Sequence, residues 1–183
     1  MKIVSYKKSF IKYTFFLAQM RKKIMKVLEE YEFSFICPIE PEKDSEGKCI
    51  KKYPSSRYAK KNSHKLHSHR EPFCEFSIDK KFTENTGVYI FVVFQKTKYV
   101  GICSDRTDTD HALRKRMREY GLIPPKGCYD AGRGTDCDKN KKIMECTNKG
   151  EVVELYFLEL EDRKEINDIE RHIIQKCKPP WNL

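Results

Sequence analysis

A run of β-branched and aromatic residues, GVYIFVVF, extends from Gly87 to Phe94 and constrains the fold more than any other part of this chain. Side chains of this kind favour the pleated surface of a β-sheet. A short polar break follows, and a second such run, YVGIC, extends from Tyr99 to Cys103. Together the two runs predict a β-hairpin.

The remaining chain alternates between periodic stretches and polar ones. Apolar residues at helical spacing predict a helix from Phe10 to Tyr31 and another from Asp110 to Tyr120. Residues 32–86 are mostly polar, and their pattern defines no clear helix or strand. Residues 121–149 are rich in glycine, proline and aspartate, which predicts a long loop or insertion.

The C-terminal part predicts one more strand and one more helix. The strand is EVVELYFLEL, Glu151–Leu160. Asp162 is placed to cap a helix that reaches about Cys177, where two prolines soon follow. The predicted fold class is therefore α/β, with a small, largely antiparallel three-stranded sheet flanked by helices. This domain occupies residues 87–183, and a helical and basic extension, residues 1–86, precedes it.

The composition indicates an anionic partner. Among 183 residues, 37 are lysine or arginine and 27 are aspartate or glutamate, so the formal net charge is +10. Such a balance favours nucleic acid as the partner before a membrane surface. No apolar run approaches the roughly 18 residues that span a membrane, and no export signal is recognisable. We expect a cytoplasmic protein with no membrane partner and with reduced cysteines.

Basic residues are concentrated between Lys48 and Arg70, where eight of them occur with no acidic residue. Two tyrosines and three histidines lie between them. Cations neutralise phosphates and flat rings stack on bases, so the segment suits DNA contact, although a solvated loop has the same composition. The DNA-contacting residues that we predict are Lys51, Lys52, Arg57, Lys60, Lys61, Lys65 and Arg70.

Two charged residues fall on otherwise apolar helix faces. Glu170 lies within the arc of Ile166 and Ile173, and a carboxylate there requires a salt bridge or a bound cation. Arg116 lies on the face of Leu113 and Met117, while its basic neighbours lie opposite. An inward arginine usually binds a carboxylate or a phosphate in bidentate geometry.

The hairpin pairs each of two tyrosines with a glycine. Tyr89 shares a strand face with Gly87, and Tyr99 shares one with Gly101. Glycine inside a strand often marks a close approach by a ligand or another backbone. The tyrosines face the same side if odd positions pair with odd ones, as a three-residue loop at residues 95–97 would allow. Taken singly, each tyrosine is better explained as an ordinary core aromatic.

In combination these residues resemble the GIY-YIG nuclease family. GVY at residues 87–89 and YVG at residues 99–101 are similar to its two signature tripeptides. LRKRMREY, residues 113–120, is similar to the family's first helix. ERHIIQKCKPPWNL, residues 170–183, is similar to its closing segment, in which a glutamate begins an apolar helix that ends in proline and asparagine. The resemblance covers residues 87–183.

The resemblance implies hydrolysis of DNA phosphodiester bonds with one Mg²⁺ or Mn²⁺ per site. Glu170 would be the metal ligand, and Arg116 would hold the scissile phosphate. Tyr89 and Tyr99 would position or deprotonate the attacking water, and Tyr120 would contact the phosphate or the leaving group. A single carboxylate suits Mg²⁺, which keeps several waters and takes further oxygens from its substrate.

The resemblance further implies that Asn182 braces the site. One departure from compact family members is a longer stretch before Arg116, which leaves Arg114 as the alternative phosphate ligand. Helical geometry favours Arg116. We expect a site-specific, restriction-type endonuclease acting on double-stranded DNA, and a homodimer would suit a palindromic target. The alternatives are a homing or repair endonuclease of the same family, and a nucleic-acid-binding module that keeps the fold without catalysis.

A structural zinc site is a less favoured interpretation of the histidine-rich segment. Its ligands would be His64, His67, His69 and Cys74, with Cys49 as a further candidate. Their spacing matches no common zinc finger. A zinc-stabilised structural or interaction protein is therefore the remaining alternative.

Overall fold

The computed structural model describes residues 25–53, 71–78, 85–104, 112–124 and 134–183. These residues form five strands and three helices. In chain order they are β1 Met25–Leu28, β2 Tyr31–Ile39, β3 Gly87–Val93, β4 Lys96–Cys103, α1 Ala112–Gly121, α2 Gly134–Asn148, β5 Val153–Glu159 and α3 Arg163–Cys177.

The five strands form one antiparallel sheet in the order β1-β2-β5-β3-β4. The prediction of a three-stranded sheet is wrong, because β1 and β2 add two strands to the three that were predicted. β2 pairs with β5, so that Phe35 lies opposite Tyr156 and Ile39 opposite Val153. Partners so distant in sequence leave no mark on local periodicity, and the sequence therefore did not indicate this pairing.

The helix predicted for residues 10–31 is wrong over its last part. β1 ends at Leu28, and β2 begins after a two-residue turn in which Glu29 has a φ of 55°. Phe33 in β2 is completely buried. Ladder hydrogen bonds and this burial outweigh a local helical pattern. Residues 10–24 of the prediction lie outside the described residues.

The long loop predicted for residues 121–149 is wrong over residues 134–148, which form helix α2, and residues 125–133 of the prediction lie outside the described residues. Asp136, Asn140, Ile143 and Thr147 are buried and recur at helical spacing on one face of α2. Three of these four residues are polar, so the segment shows little hydrophobic periodicity.

The predicted hairpin is confirmed as β3 and β4. Its loop has two residues, Phe94 and Gln95, both with positive φ of 50° and 62°, as a type I′ turn requires. A bulge in β4, where Lys98 is the extra residue, shifts the register so that Tyr89 lies opposite Gly101, and Tyr99 shares their face. Odd positions do pair with odd ones, but a bulge achieves this rather than a three-residue loop.

The sheet has a hydrophobic core on each face. Helices α1 and α2 cover one face through Leu113 and Ile143, which join the cluster of Tyr89. Helix α3 covers the other face through Ile166 and Ile173. The predicted α3 and its cap are confirmed, since the Asp162 side chain accepts the Glu165 backbone N–H at 2.9 Å. Within the described residues, no helix has the length and apolar character needed to cross a membrane.

Candidate active site

Four of the six predicted catalytic residues line one pocket of about 370 Å³. Tyr89 comes from β3, Tyr99 from β4, Arg116 from α1 and Glu170 from α3. Because β4 is an edge strand with α1 on one face of the sheet and α3 on the other, side chains from both faces meet around it. The fold thus brings Tyr89 and Glu170 to the same pocket, although they are 81 positions apart in the sequence.

A chain of hydroxyl groups links Tyr89 and Tyr99 of the pocket lining through Tyr120, which does not itself line the pocket. The Tyr89 and Tyr120 hydroxyl oxygens are 2.6 Å apart, and the Tyr120 hydroxyl donates to that of Tyr99 at 3.4 Å. Arg116 Nε donates to the Tyr89 hydroxyl at 3.3 Å. Because each hydroxyl donates only once, the chain runs from Arg116 through Tyr89 and Tyr120 to Tyr99. Tyr99 is the most exposed of the three tyrosines, at 7% against 0% for the others.

Burial keeps two of these tyrosines neutral. It raises the pKa of Tyr89 well above the ordinary value, the neighbouring Tyr99 raises it further, and Arg116 offsets only part of the effect. Burial also raises the pKa of Tyr120 well above its ordinary value, with Tyr89 and Tyr99 adding to it. Both residues are therefore phenols at neutral pH and can donate hydrogen bonds.

The Tyr89 ring explains the glycine of β4. A Cβ on Gly101 would lie 2.5 Å from the Tyr89 hydroxyl oxygen and 2.8 Å from Cε1 of Tyr99. The other signature glycine, Gly87, would collide through a Cβ with the backbone carbonyl oxygen of Leu158. These glycines make room for the tyrosine rings and for the neighbouring strand rather than for a ligand.

Arg116 is a fixed cation at the pocket wall. Its Nη1 donates to Glu119 at 2.7 Å and to Asp136 at 3.1 Å, and its guanidinium carbon lies 4.4 Å from the centre of the Tyr120 ring. Desolvation lowers the pKa of Arg116, whereas its hydrogen bonds to Glu119 and Tyr89 raise it, and the guanidinium stays charged at neutral pH. Nη2 has no hydrogen-bond partner among the described residues.

Glu170 is the carboxylate of the pocket that suits a cation. Burial raises its pKa, and Arg116 and Arg171 offset only part of that shift. It has no hydrogen bond or ion pair with any other described residue. A cation beside a carboxylate of this kind would compensate for the lost hydration. The described residues contain no cluster of three or more histidine, cysteine, aspartate or glutamate side chains. These residues therefore fit an ion that takes one protein carboxylate and completes its shell with other oxygens, as Mg²⁺ does.

Asn182 lies outside this pocket, and its contacts support the outer edge of β4. Its Nδ2 donates to the Val100 carbonyl at 2.8 Å, and the Val100 N–H donates to its Oδ1 at 2.9 Å. The next backbone N–H towards the N-terminus, that of Trp181, donates to the Lys98 carbonyl at 2.9 Å. Asn182 thus pairs with the strand that carries Tyr99 as a neighbouring strand would.

The predicted DNA-contacting residues are mostly outside the described part of the chain. Lys51 is exposed, and Lys52 forms an ion pair with Glu75 at 3.4 Å. The others lie outside the described residues: Arg57, Lys60, Lys61, Lys65 and Arg70.

The histidines of the suggested zinc site, His64, His67 and His69, also lie outside the described residues. Its two cysteines, Cys49 and Cys74, are buried free thiols. Burial is the main cause that raises the pKa of both cysteines, so both stay protonated at neutral pH.

Sequence analysis missed three polar residues around Arg116 and Tyr120. Glu119 and Asp136 hold the guanidinium, and Asn140 joins three segments. The Asn140 amide donates to the carbonyls of Tyr120 at 2.8 Å and Cys74 at 2.7 Å, and its oxygen accepts the Cys74 N–H at 2.9 Å. The signal for Asp136 and Asn140 was the repeat at positions 136, 140, 143 and 147, which a search for apolar residues alone does not find.

No family model, no curated protein and no solved structure matches this chain. The assignment of a function therefore depends on the residues and their geometry.

Proposed function

We propose that this protein is a divalent-metal-dependent DNA endonuclease that hydrolyses phosphodiester bonds at specific sites. One observation carries the proposal: Tyr89, Tyr99, Arg116 and Glu170, from four separate elements, line the same pocket. Their resemblance to the GIY-YIG nuclease motifs supports it independently, since the motifs were recognised from sequence order alone.

Arg116 is the group that would bind the scissile phosphate. Hydrolysis of a phosphodiester concentrates negative charge on the phosphorus oxygens, so a cation held in place before the reaction stabilises the transition state most. Nε and Nη1 of Arg116 are engaged by Tyr89, Glu119 and Asp136, which leaves Nη2 for a phosphate oxygen.

Glu170 would hold Mg²⁺ or Mn²⁺, which supplies Lewis-acid stabilisation and a more acidic bound water. Tyr99 ends the hydroxyl chain and is the tyrosine best placed to orient the attacking water. Tyr89 and Tyr120 remain neutral and fix the direction of that chain. A base role for Tyr89 would demand a further cation, because burial opposes its ionisation.

Double-stranded DNA in the cytoplasm is the proposed substrate. The net charge of +10 supplies sequence-independent attraction to its phosphates. The residues between Lys48 and Arg70 would contribute much of this attraction, and a homodimer would match a palindromic site.

The test is incubation of plasmid and genomic DNA with the purified protein and Mg²⁺ or Mn²⁺, with EDTA as the blank. We expect discrete fragments from the wild type and no cleavage by Glu170→Ala or Arg116→Ala. Arg118→Ala is the matched control, because Arg118 lies on the same helix as Arg116 but is exposed and does not line the pocket, and it should cleave normally.

Other results would change the assignment. DNA binding without cleavage by the wild type would establish the non-catalytic module instead. Cleavage that depends on a lesion or on a single rare site would favour a repair or homing role over restriction. Full activity of Glu170→Ala would exclude the proposed metal ligand.

A further inference from the structure

We infer that Asp136 is a positioning residue that holds the Arg116 guanidinium in its working orientation. The inference rests on the proposed function for its consequence in catalysis. Asp136 lies in the first turn of α2, a helix that the sequence analysis had treated as an insertion.

The contact is short and shielded from water. The Asp136 carboxylate Oδ1 accepts from Arg116 Nη1 at 3.1 Å, and the Asp136 side chain is 7% exposed against 32% for Glu119, the other acceptor on the same nitrogen. A charge-assisted hydrogen bond is stronger where water competes less for its partners. The Glu119 contact is shorter, at 2.7 Å, but Asp136 is the restraint with which water competes less.

Asp136 and Glu119 also restrain different motions. Glu119 is three residues from Arg116 on α1, so it moves together with that helix. Asp136 comes from α2, so it fixes the guanidinium relative to the rest of the fold. Helix α2 is held to α1, because the Asn140 side chain of α2 donates to the Tyr120 carbonyl of α1 at 2.8 Å.

Asp136 acts through Arg116 and not directly on a substrate. Arg116 and Glu119 both line the pocket of about 370 Å³, and Asp136 is not among the described residues that line it. Nε of Arg116 donates to Tyr89, and Nη1 donates to the two carboxylates. These bonds fix the orientation of the guanidinium and leave Nη2 to bind a phosphate.

The first test is DNA cleavage by full-length Asp136→Asn, which keeps the shape of the side chain and removes its charge. A displacement of about 1 Å at a reacting group costs on the order of 100-fold in rate, so we expect kcat to fall by about that factor. DNA affinity measured with Ca²⁺ in place of Mg²⁺ should change by less than about threefold, because Asp136 does not touch the DNA. Glu119→Gln is the matched control, and we expect its kcat to fall by less than about tenfold.

The second test does not require activity. Side-chain NMR of arginine reports rotation about the guanidinium bonds, and the Arg116 signal is assigned from its absence in Arg116→Lys. We expect narrow Nη signals in the wild type, broadened in Asp136→Asn and less so in Glu119→Gln.

The two tests separate the possible failures. An inactive wild type would refute the nuclease proposal while the NMR result still decides on Asp136. Unchanged NMR signals in Asp136→Asn would overturn the positioning role. So would an active wild type with an equally active Asp136→Asn, or a parallel loss of kcat, DNA affinity and melting temperature, which would indicate a general loss of structure.

Discussion

Replacing Gly101 by alanine is the most direct test of how the Tyr89 ring is packed. The new methyl would lie 2.5 Å from the Tyr89 hydroxyl oxygen and 2.6 Å from Cζ of the same ring. The ring has no free side to move to, because it is 0% exposed and its hydroxyl lies 2.6 Å from that of Tyr120.

The cost follows from the displacement that the methyl demands. Ordinary van der Waals contact begins at 3.4 Å, so the ring must retreat by about 0.9 Å. Its neighbours are the rings of Phe91 and Tyr99, with centroids 5.7 Å and 6.0 Å away. Overpacking of this kind costs about 1 to 3 kcal/mol. For a chain of this length, that lowers the melting temperature by about 2 to 12 °C.

The assay is equilibrium unfolding in urea, with thermal melts alongside. Gly101→Ala is measured in the wild type and in a Tyr89→Leu background, where the ring end that meets the methyl is absent. We expect the penalty to fall by at least about 1 kcal/mol in that background, since residues in contact couple by this amount. DNA cleavage by Gly101→Ala should also fall, because the Tyr89 hydroxyl is drawn away from Arg116.

Two outcomes would refute this reasoning. A penalty below about 0.5 kcal/mol in the wild type would show that the ring yields freely, since surface-like changes have that size. An equal penalty in both backgrounds would show that the cost arises from the Tyr99 ring or from the backbone at Gly101 and not from Tyr89.

Three further changes have expected results. Asn140→Ala leaves three buried backbone groups unpaired and should cost about 2 to 4 kcal/mol in urea unfolding. Asn167→Ala, whose amide donates to the Arg163 carbonyl of its own helix, should cost less than about 0.5 kcal/mol, and equal losses would contradict the role of Asn140. Folding raises the pKa of Glu170. The contribution of Glu170 to folding stability is therefore fully present below its ordinary pKa of about 4.5 and is lost as the pH rises. Glu170→Gln should therefore melt higher than the wild type at pH 7, with the gain disappearing below pH about 4; a lower melting temperature at pH 7 would contradict this. Asn182→Ala should accelerate hydrogen exchange of the Val100 amide at the β4 edge, and unchanged exchange would show that Asn182 does not protect it.

Several parts of the site could be predicted because their cause is local. Gly87 to Phe94 has a composition that only a strand accommodates well, and Asp162 caps a helix through its own neighbours. Arg116 and Glu170 were found because each departs from the apolar face of its helix, and both do line the pocket.

The parts that were missed depend on distant partners. Nothing in the composition of β2 indicates that Phe35 pairs with Tyr156 in β5. Asp136 and Asn140 are polar residues on a buried face. Their burial is tolerated because Asp136 accepts a hydrogen bond from Arg116 and Asn140 donates one to the Tyr120 carbonyl.

Local patterns were enough to predict the hairpin, the last helix and the side chains that carry the proposed chemistry. These follow from side-chain shape, periodicity and capping within a few residues. Long-range packing set the five strands of the sheet, the contact of Gly101 with Tyr89 and the ion pair of Asp136 with Arg116. Burying a charge or pairing a sheet edge requires a partner, and the whole fold selects that partner.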